Sequence, residues 1–391
     1  MSDRTMALRP EHRLLLRAAL VPGREARIAW HEWRARFDFA AVDPASLAIL
    51  PLVVHNLGSD LRADPLRARL LGVCRFAWAR NGLLYGDLVR VLEIFDAASV
   101  PTLVLGGAAL AVTCYRGDGL RALTRPDVLV PADRAATAMA LLQGQGARQA
   151  IGRTGPTKAP ERVIPVRHAL SFRSSSGRDV GLHWHALSPG FDAADAAFWE
   201  ASRPLVLHGA HTRALCPADQ LLRVCVDGAY GGASPQLLWA ADATYILRLA
   251  ADDIDWDRLM RLAAQCRFRL ALRDALIWLV ATVEAPVPAA VIRSLARGPV
   301  GVLERLERVS RLGPPTRWRR AIGHLGRYAR STRCQPLSPR ILGLYDYVVR
   351  VTEAEGLSGA LPRVWASLRS QPLTGPDGRP RDGMRQGRRS P

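Results

Sequence analysis

Lysine is almost missing from this chain: Lys158 is the single one among 54 basic residues, and the rest are arginine. Only 35 acidic residues oppose them, so the formal charge is +19. With so much Ala, Gly and Pro, this skew reads first as the codon bias of a GC-rich bacterial genome. A basic surface still draws nucleotides, nucleic acid or an acidic peptide or protein partner at long range; nucleic acid is the least expected of these. Cysteine is sparse and never paired as CxxC: Cys74, Cys114, Cys216, Cys225, Cys266 and Cys334 are scattered along the chain. That spacing argues against a zinc ribbon and against a disulfide framework. Long apolar runs are also lacking. The best candidate, Ala275 to Val283, is too short to span a bilayer and is bracketed by Arg273, Asp274 and Glu284. The first twenty residues carry charges throughout and do not form a signal peptide. A cytoplasmic protein with no membrane partner is expected. Hydrophobic residues make up 49% and charged residues 23% of the chain, which is the balance of a globular protein.

Three kinds of pattern follow one another. Residues 1–95 read as a helical N-terminal region. Asp43-Pro44 is a helix start, and from Pro65 to Ser99 apolar residues recur at three-and-four spacing. Trp30, Trp33 and Trp78 read as core residues or interdomain fillers rather than a base-stacking platform. Residues 96–200 alternate strand-like and helical segments, as a small α/β domain with a mixed sheet would. The strand candidates are Val100 to Leu105, Asp127 to Val130, Val163 to Phe172 and Asp179 to Trp184, with a helix from Arg134 to Gln143. Residues 201–370 read as a helical C-terminal domain, with starts at Pro217-Ala218-Asp219 and Asp255-Trp256-Asp257. A basic face follows after residue 302, read as solvated. Residues 371–391 are Gly, Pro and Arg with little that is apolar, and read as a disordered basic tail.

The stretch from Val100 to Val130 carries the chemistry. An apolar run ends on Gly106-Gly107, a small-residue helical segment follows, and a polar loop leads to Asp127-Val128-Leu129-Val130. A glycine pair between strand and helix lets a phosphate approach the backbone. On a strand, residues two apart share a face. Two carboxylates at that spacing, with a third from a neighbouring strand, would hold two divalent ions ~3.5–4 Å apart for in-line attack on an α-phosphate.

Gly106-Gly107-Ala108-Ala109-Leu110, then Tyr115, Gly119-Leu120-Arg121, Asp127-Val128-Leu129-Val130 and Leu182-His183-Trp184 resemble the core of the uncharacterised bacterial nucleotidyltransferase family of the polymerase-β-like superfamily. Leu215 to Leu222 and Leu238-Trp239-Ala240-Ala241-Asp242 are similar to later segments of that family, so the likeness covers roughly residues 10–290. The resemblance implies an α+β protein: a polymerase-β-like nucleotidyltransferase core with a mixed sheet and helical flanks. It also implies binding of an NTP with Mg²⁺ and transfer of a nucleoside monophosphate to a hydroxyl acceptor. Gly106 and Gly107 would hold phosphates and Asp127 would ligate the metal.

The departures fall on the acids. Where the family has Asp-x-Asp, this chain has Arg125-Pro126-Asp127; where an acid precedes Leu-His-Trp, it has Gly181. The formal charge of those three positions goes from −3 to 0, counting one Asp, one Arg and one Gly. A guanidinium repels a metal ion, and Pro126 fits only a sheet edge or an irregular stretch. The family's "HGA" is Asp227-Gly228-Ala229 here. Asp179, two residues before Gly181, is the candidate substitute acid, and Asp118 lies in the loop. Arg121 and Arg125 could instead grip a phosphate directly, as arginine does well. A zinc site from His183, His185, His208 and His211 is weighed and set below their structural use, and Ser174-Ser175-Ser176 lacks the context of a nucleophile. Three readings stay open: a transferase with Asp127 and Asp179 catalytic; a degenerate relative serving as a binding or scaffold protein in a biosynthetic pathway; and, the weakest, an RNA-binding protein using the basic helices after residue 300.

Overall fold

A computed structural model of the chain describes residues 8–115, 117, 119–149, 160–164, 167–187, 192–230 and 237–311, with 326, 328 and 329. The expected basic tail, Asp118, Cys334 and most of the basic stretch after residue 311 lie outside the described residues.

The fold is α+β, as expected. Seven strands form one mixed sheet: β1 (Leu103–Leu105), β2 (Asp127–Leu129), β3 (Arg148–Gln149), β4 (Ala169–Arg173), β5 (Asp179–His183), β6 (Arg203–Leu207) and β7 (Ala210–Ala214). Their order across the sheet is β3-β4-β5-β2-β1-β7-β6. β2 lies inside it, antiparallel to β1 and parallel to β5. Pro126 precedes this interior strand, so its missing N–H costs no ladder bond. Its carbonyl accepts from Gly181 N at 2.9 Å.

The β6–β7 hairpin falls where helix alone was expected, after residue 200. Its signal is the alternation in Arg203-Pro204-Leu205-Val206-Leu207, where Leu205 and Leu207 are buried and Val206 is exposed. The turn is His208-Gly209, with φ of 47° and 90°. Two positive φ values in succession suit a tight hairpin turn. The hairpin enters the sheet through β7, which pairs parallel to β1. A nearby helical context in the sequence masked this short period-two segment.

Helices cover both faces of the sheet, and each face has its own core. On one side, Leu84, Leu88, Leu92 and Phe95 of the long helix Arg67–Ala97 pack with Val104, Val128, Leu182 and the helix Ala135–Gly144. On the other, the N-terminal helices Pro10–Leu20, Arg24–Arg36 and Pro44–Leu57 share one core with Pro217–Tyr230, Leu238–Leu249 and Arg269–Val283. Leu103, Leu105 and Leu129 of the sheet belong to that core. Trp30 and Trp33 are buried in it and stack at 5.3 Å. Trp78 is 62% exposed, so the core reading does not hold for it. It projects from the N-terminal half of the long helix, and its Cβ packs on Gly119.

Helix starts follow the sequence signals. Asp43 caps Pro44–Leu57 by accepting from Ser46 N at 2.9 Å, and Asp255 caps Trp256–Gln265 through Arg258 N at 2.8 Å. Among the described residues no helix is long and apolar enough to cross a membrane.

Candidate functional site

The site is a cleft at one end of the central strands, closed by the helices Pro217–Tyr230 and Leu238–Leu249. The empty space in and in front of it, counted out into solvent, is about 470 Å³. Three carboxylates, Asp127, Asp227 and Asp242, and three guanidiniums, Arg121, Arg125 and Arg223, line it. Gly106-Gly107 lies at its base, and Trp239 and Val224 form part of its wall.

β1 delivers the glycine pair. Leu103, Val104 and Leu105 are all buried, and the chain turns at Gly106, whose φ of 60° favours glycine. The pair makes room for arginine. A Cβ on Gly106 would lie 3.1 Å from Arg223 Nη1, and one on Gly107 would lie 3.0 Å from Arg121 Nη1. Two guanidiniums therefore sit where the sequence suggested open backbone amides.

These two arginines differ in use. Arg121 is 3% exposed and forms a two-point ion pair with Asp242: Nε to Oδ1 at 2.8 Å and Nη2 to Oδ2 at 2.7 Å. Tyr115 donates its hydroxyl to the same carboxylate at 2.7 Å and stacks on Tyr245 at 4.1 Å. Burial and the Asp242 charge push the Tyr115 phenol up. Burial would lower the Arg121 guanidinium, but the Asp242 carboxylate outweighs it and the net direction is upward. Asn81 clamps the Arg121 segment, donating to Arg121 O and accepting from Leu123 N, each at 2.9 Å. Arg121 thus ties the polar loop to the Leu238–Leu249 helix beneath the glycine turn. Arg223 is held by Ala186 O at 3.1 Å and lies 3.5 Å from Asp227, one helical turn on. It keeps capacity for a further acceptor.

Asp127 begins β2 and faces Gly181 of β5 across the sheet. Its Oδ1 receives Arg125 Nε at 2.8 Å and lies 3.2 Å from His183 Nε2. The Arg125 Nη1 atom also bonds Ser171 Oγ on β4. Burial would raise the Asp127 carboxyl. His183, Arg125 and Arg223 together outweigh burial and hold it well below the usual carboxylate range. Asp227 goes the other way. Burial is the largest cause, with Asp127 and Asp242 adding repulsion, and Arg223 and His183 only partly offset them.

The sequence-derived candidates therefore separate. Gly106, Gly107, Arg121, Arg125 and Asp127 come together in the cleft. Asp179 does not line it. Its carboxylate takes Arg173 Nε at 2.8 Å and Nη2 at 3.2 Å, in the last cross-strand pair of the β4–β5 ladder, two residues from Gly181. Three of the four histidines are also used apart. His183 faces Asp127, His185 binds Asp195 at 2.6 Å, and His208 packs on the Tyr85 ring at 4.6 Å. Ser176 anchors the β4–β5 turn to Asp87.

Arg223, Asp227 and Asp242 were missed as site residues. Asp227 had one visible signal, an acid where the similar family has histidine. Its i, i+4 spacing from Arg223 was a second. Nothing in the sequence placed that helix over the glycine turn.

Comparison with family models matches residues 45–283 to one described as an uncharacterised nucleotidyltransferase. The match contains the whole sheet and every residue of the cleft. Comparison with curated proteins found no match. The family match spans more than half of the chain, and on that ground the protein belongs to the uncharacterised nucleotidyltransferase family.

Proposed function

We propose that this protein binds a nucleotide in the cleft, with its phosphates held by Arg223 and Arg125 beside Gly106-Gly107, and that binding rather than two-metal transfer is its working role. The observation that carries this is the state of Asp127. Its carboxylate is already engaged by Arg125, and the residue opposite, Gly181, contributes no ligand. Two arginines reaching one concave wall fit an oligophosphate, since guanidinium groups pair with phosphate oxygens in a fixed fork. Trp239 and Val224 give the same cleft an apolar surface for the remainder of the ligand.

One observation favours a second reading, in which transfer is retained. Asp227 lines the same cleft as Asp127, so a second carboxylate is present from a helix instead of a strand. In that case the acceptor oxygen would bond to the α-phosphorus, the α–β bridging bond would break, and pyrophosphate would leave. The acceptor proton would pass to a carboxylate such as Asp227.

Calorimetric titration with each NTP, followed by a pyrophosphate-release assay with Mg²⁺ or Mn²⁺, separates the readings. Binding with no pyrophosphate release supports the first. Release that Asp127→Ala abolishes would establish the second. Failure of every NTP to bind removes both.

A further inference from the structure

The family fold implies a divalent metal held by acids on the central strands, and the described residues do not fit one. A metal site there needs two or three carboxylates converging on one point. Asp127 has its Oδ1 beside both Arg125 Nε and His183 Nε2. Gly181 offers no side chain, and the space its Cβ would need is filled by the Asp127 carboxylate, 2.0 Å away. Asp179 is bound by Arg173. Asp242 is bound by Arg121 and Tyr115, and Asp227 is paired with Arg223 at 3.5 Å. Among the described residues no group of three His, Cys, Asp or Glu is arranged to hold a metal ion.

What stands in that place is a cation belonging to the chain. The Arg125 guanidinium lies against Asp127 on one side and Ser171 on the other, and it also lines the cleft. Asp127 and Ser171 orient it from two different strands, so its charge is fixed in position without a metal. Arg223, held by Ala186 O, supplies a second fixed charge lining the same cleft.

We propose that Arg125 is a built-in substitute for the divalent metal, so that this cleft takes the triphosphate of a nucleotide free of metal. Asp127 then serves as a positioning residue for Arg125 rather than as a metal ligand. This rests on the nucleotide-binding reading for its ligand but not for its metal-free character, and the two are tested separately.

The first arm titrates the full-length protein with Mn²⁺ alone, read by the loss of the free-ion EPR signal. No saturable binding is expected at concentrations up to about 1 mM. Saturable binding that Asp127→Asn abolishes overturns the proposal, whatever nucleotides do. The second arm measures ATP affinity in EDTA and in excess Mg²⁺. Affinity in EDTA equal to or tighter than in Mg²⁺ is expected, with a loss of about tenfold or more for Arg125→Ala. A tenfold or greater requirement for Mg²⁺ overturns the proposal while leaving nucleotide binding intact. No ATP binding in either condition defeats the nucleotide reading and the triphosphate part of this one, and the Mn²⁺ arm still decides the metal. The third arm makes Arg125→Asp with Gly181→Asp and checks its melting curve. A folded double variant that acquires Mn²⁺ binding agrees with the arginine having displaced the ion. A folded one that acquires none shows that the position beside Asp127 is not a metal position, and overturns the substitution idea.

Discussion

The Asp127 carboxylate occupies the space that a side chain on Gly181 would need, with Oδ1 2.0 Å from the position of that Cβ. The two residues face each other across the parallel β2–β5 pair. The absence of a side chain at 181 and the placement of the Asp127 carboxylate are therefore sterically linked. With no side chain at 181, Asp127 folds over onto β5, within reach of His183 and Arg125.

Gly181→Ala tests this relationship. The contacting atom is the end of a side chain, which is ordinarily able to swing away. Here Arg125 and His183 hold it. The variant is expected to lose roughly 1–3 kcal/mol, the range for overpacking a well-filled site. Chemical denaturation at pH 7 measures the loss. Combining it with Asp127→Ala should remove most of the cost, and a cost unchanged in the double variant would refute the steric account.

Arg121 and Asp242 carry a second prediction. Both are nearly fully buried and joined at two points. Removing one partner strands a charge in the interior, and the expected loss is roughly 3–5 kcal/mol for Arg121→Met or Asp242→Leu singly. The double variant should be less destabilised than the sum of the two, because no lone charge remains. Denaturant midpoints of the three variants give the coupling.

Two of the cleft aspartates should give opposite pH signatures. Asp127 has a folded-state pKa below its unfolded value, so its stabilising contribution is present above about pH 4 and declines as pH falls toward the folded pKa. The stability gap between the native chain and Asp127→Asn should therefore be largest near neutral pH and shrink below about pH 4. Asp227 has a raised pKa, so ionising it costs stability as pH rises through its unfolded value toward the folded one. Asp227→Asn should match or exceed the native chain in stability at pH 7 and lose that advantage in acid. Melting curves across pH 3–7 decide the signs.

The His208-Gly209 turn yields a prediction remote from the cleft. Gly209 has φ of 90°, and a side chain there is strained although no atom lies within 4 Å of the added Cβ. Gly209→Ala is expected to cost roughly 1–2 kcal/mol through backbone strain alone. Because β7 joins β1 beneath the glycine turn, a larger loss accompanied by weaker nucleotide binding would show that the hairpin also sets the cleft geometry.

Much of the fold was legible because its signals are local. A helix start needs only a capping side chain a few residues from the amide it accepts, as at Asp43 and Asp255. A buried strand announces itself in three or four consecutive apolar residues, as in β1 and β2. The β6–β7 hairpin was missed because its strands carry mixed polarity. Only every second residue of β6 is buried, and the segment lies between helical patterns.

The cleft was legible in part for the same reason. Gly106, Gly107, Arg121, Arg125 and Asp127 belong to one continuous stretch, and the motif order that identified the family placed them together. The amino-acid sequence by itself determined the family, the α+β class, and the presence of arginine and glycine where acids are expected. It could not determine what those residues do, because that depends on partners far away in the chain. Arg223 comes from a helix more than a hundred residues after the glycine turn it covers, and Asp242 from the next helix. Asp179 shares a strand with Gly181, yet its cross-strand partner Arg173 takes its carboxylate. Only tertiary packing decides which charges meet. Here it built a cleft where each guanidinium faces an acid, with Arg125 and Arg223 reaching the space between.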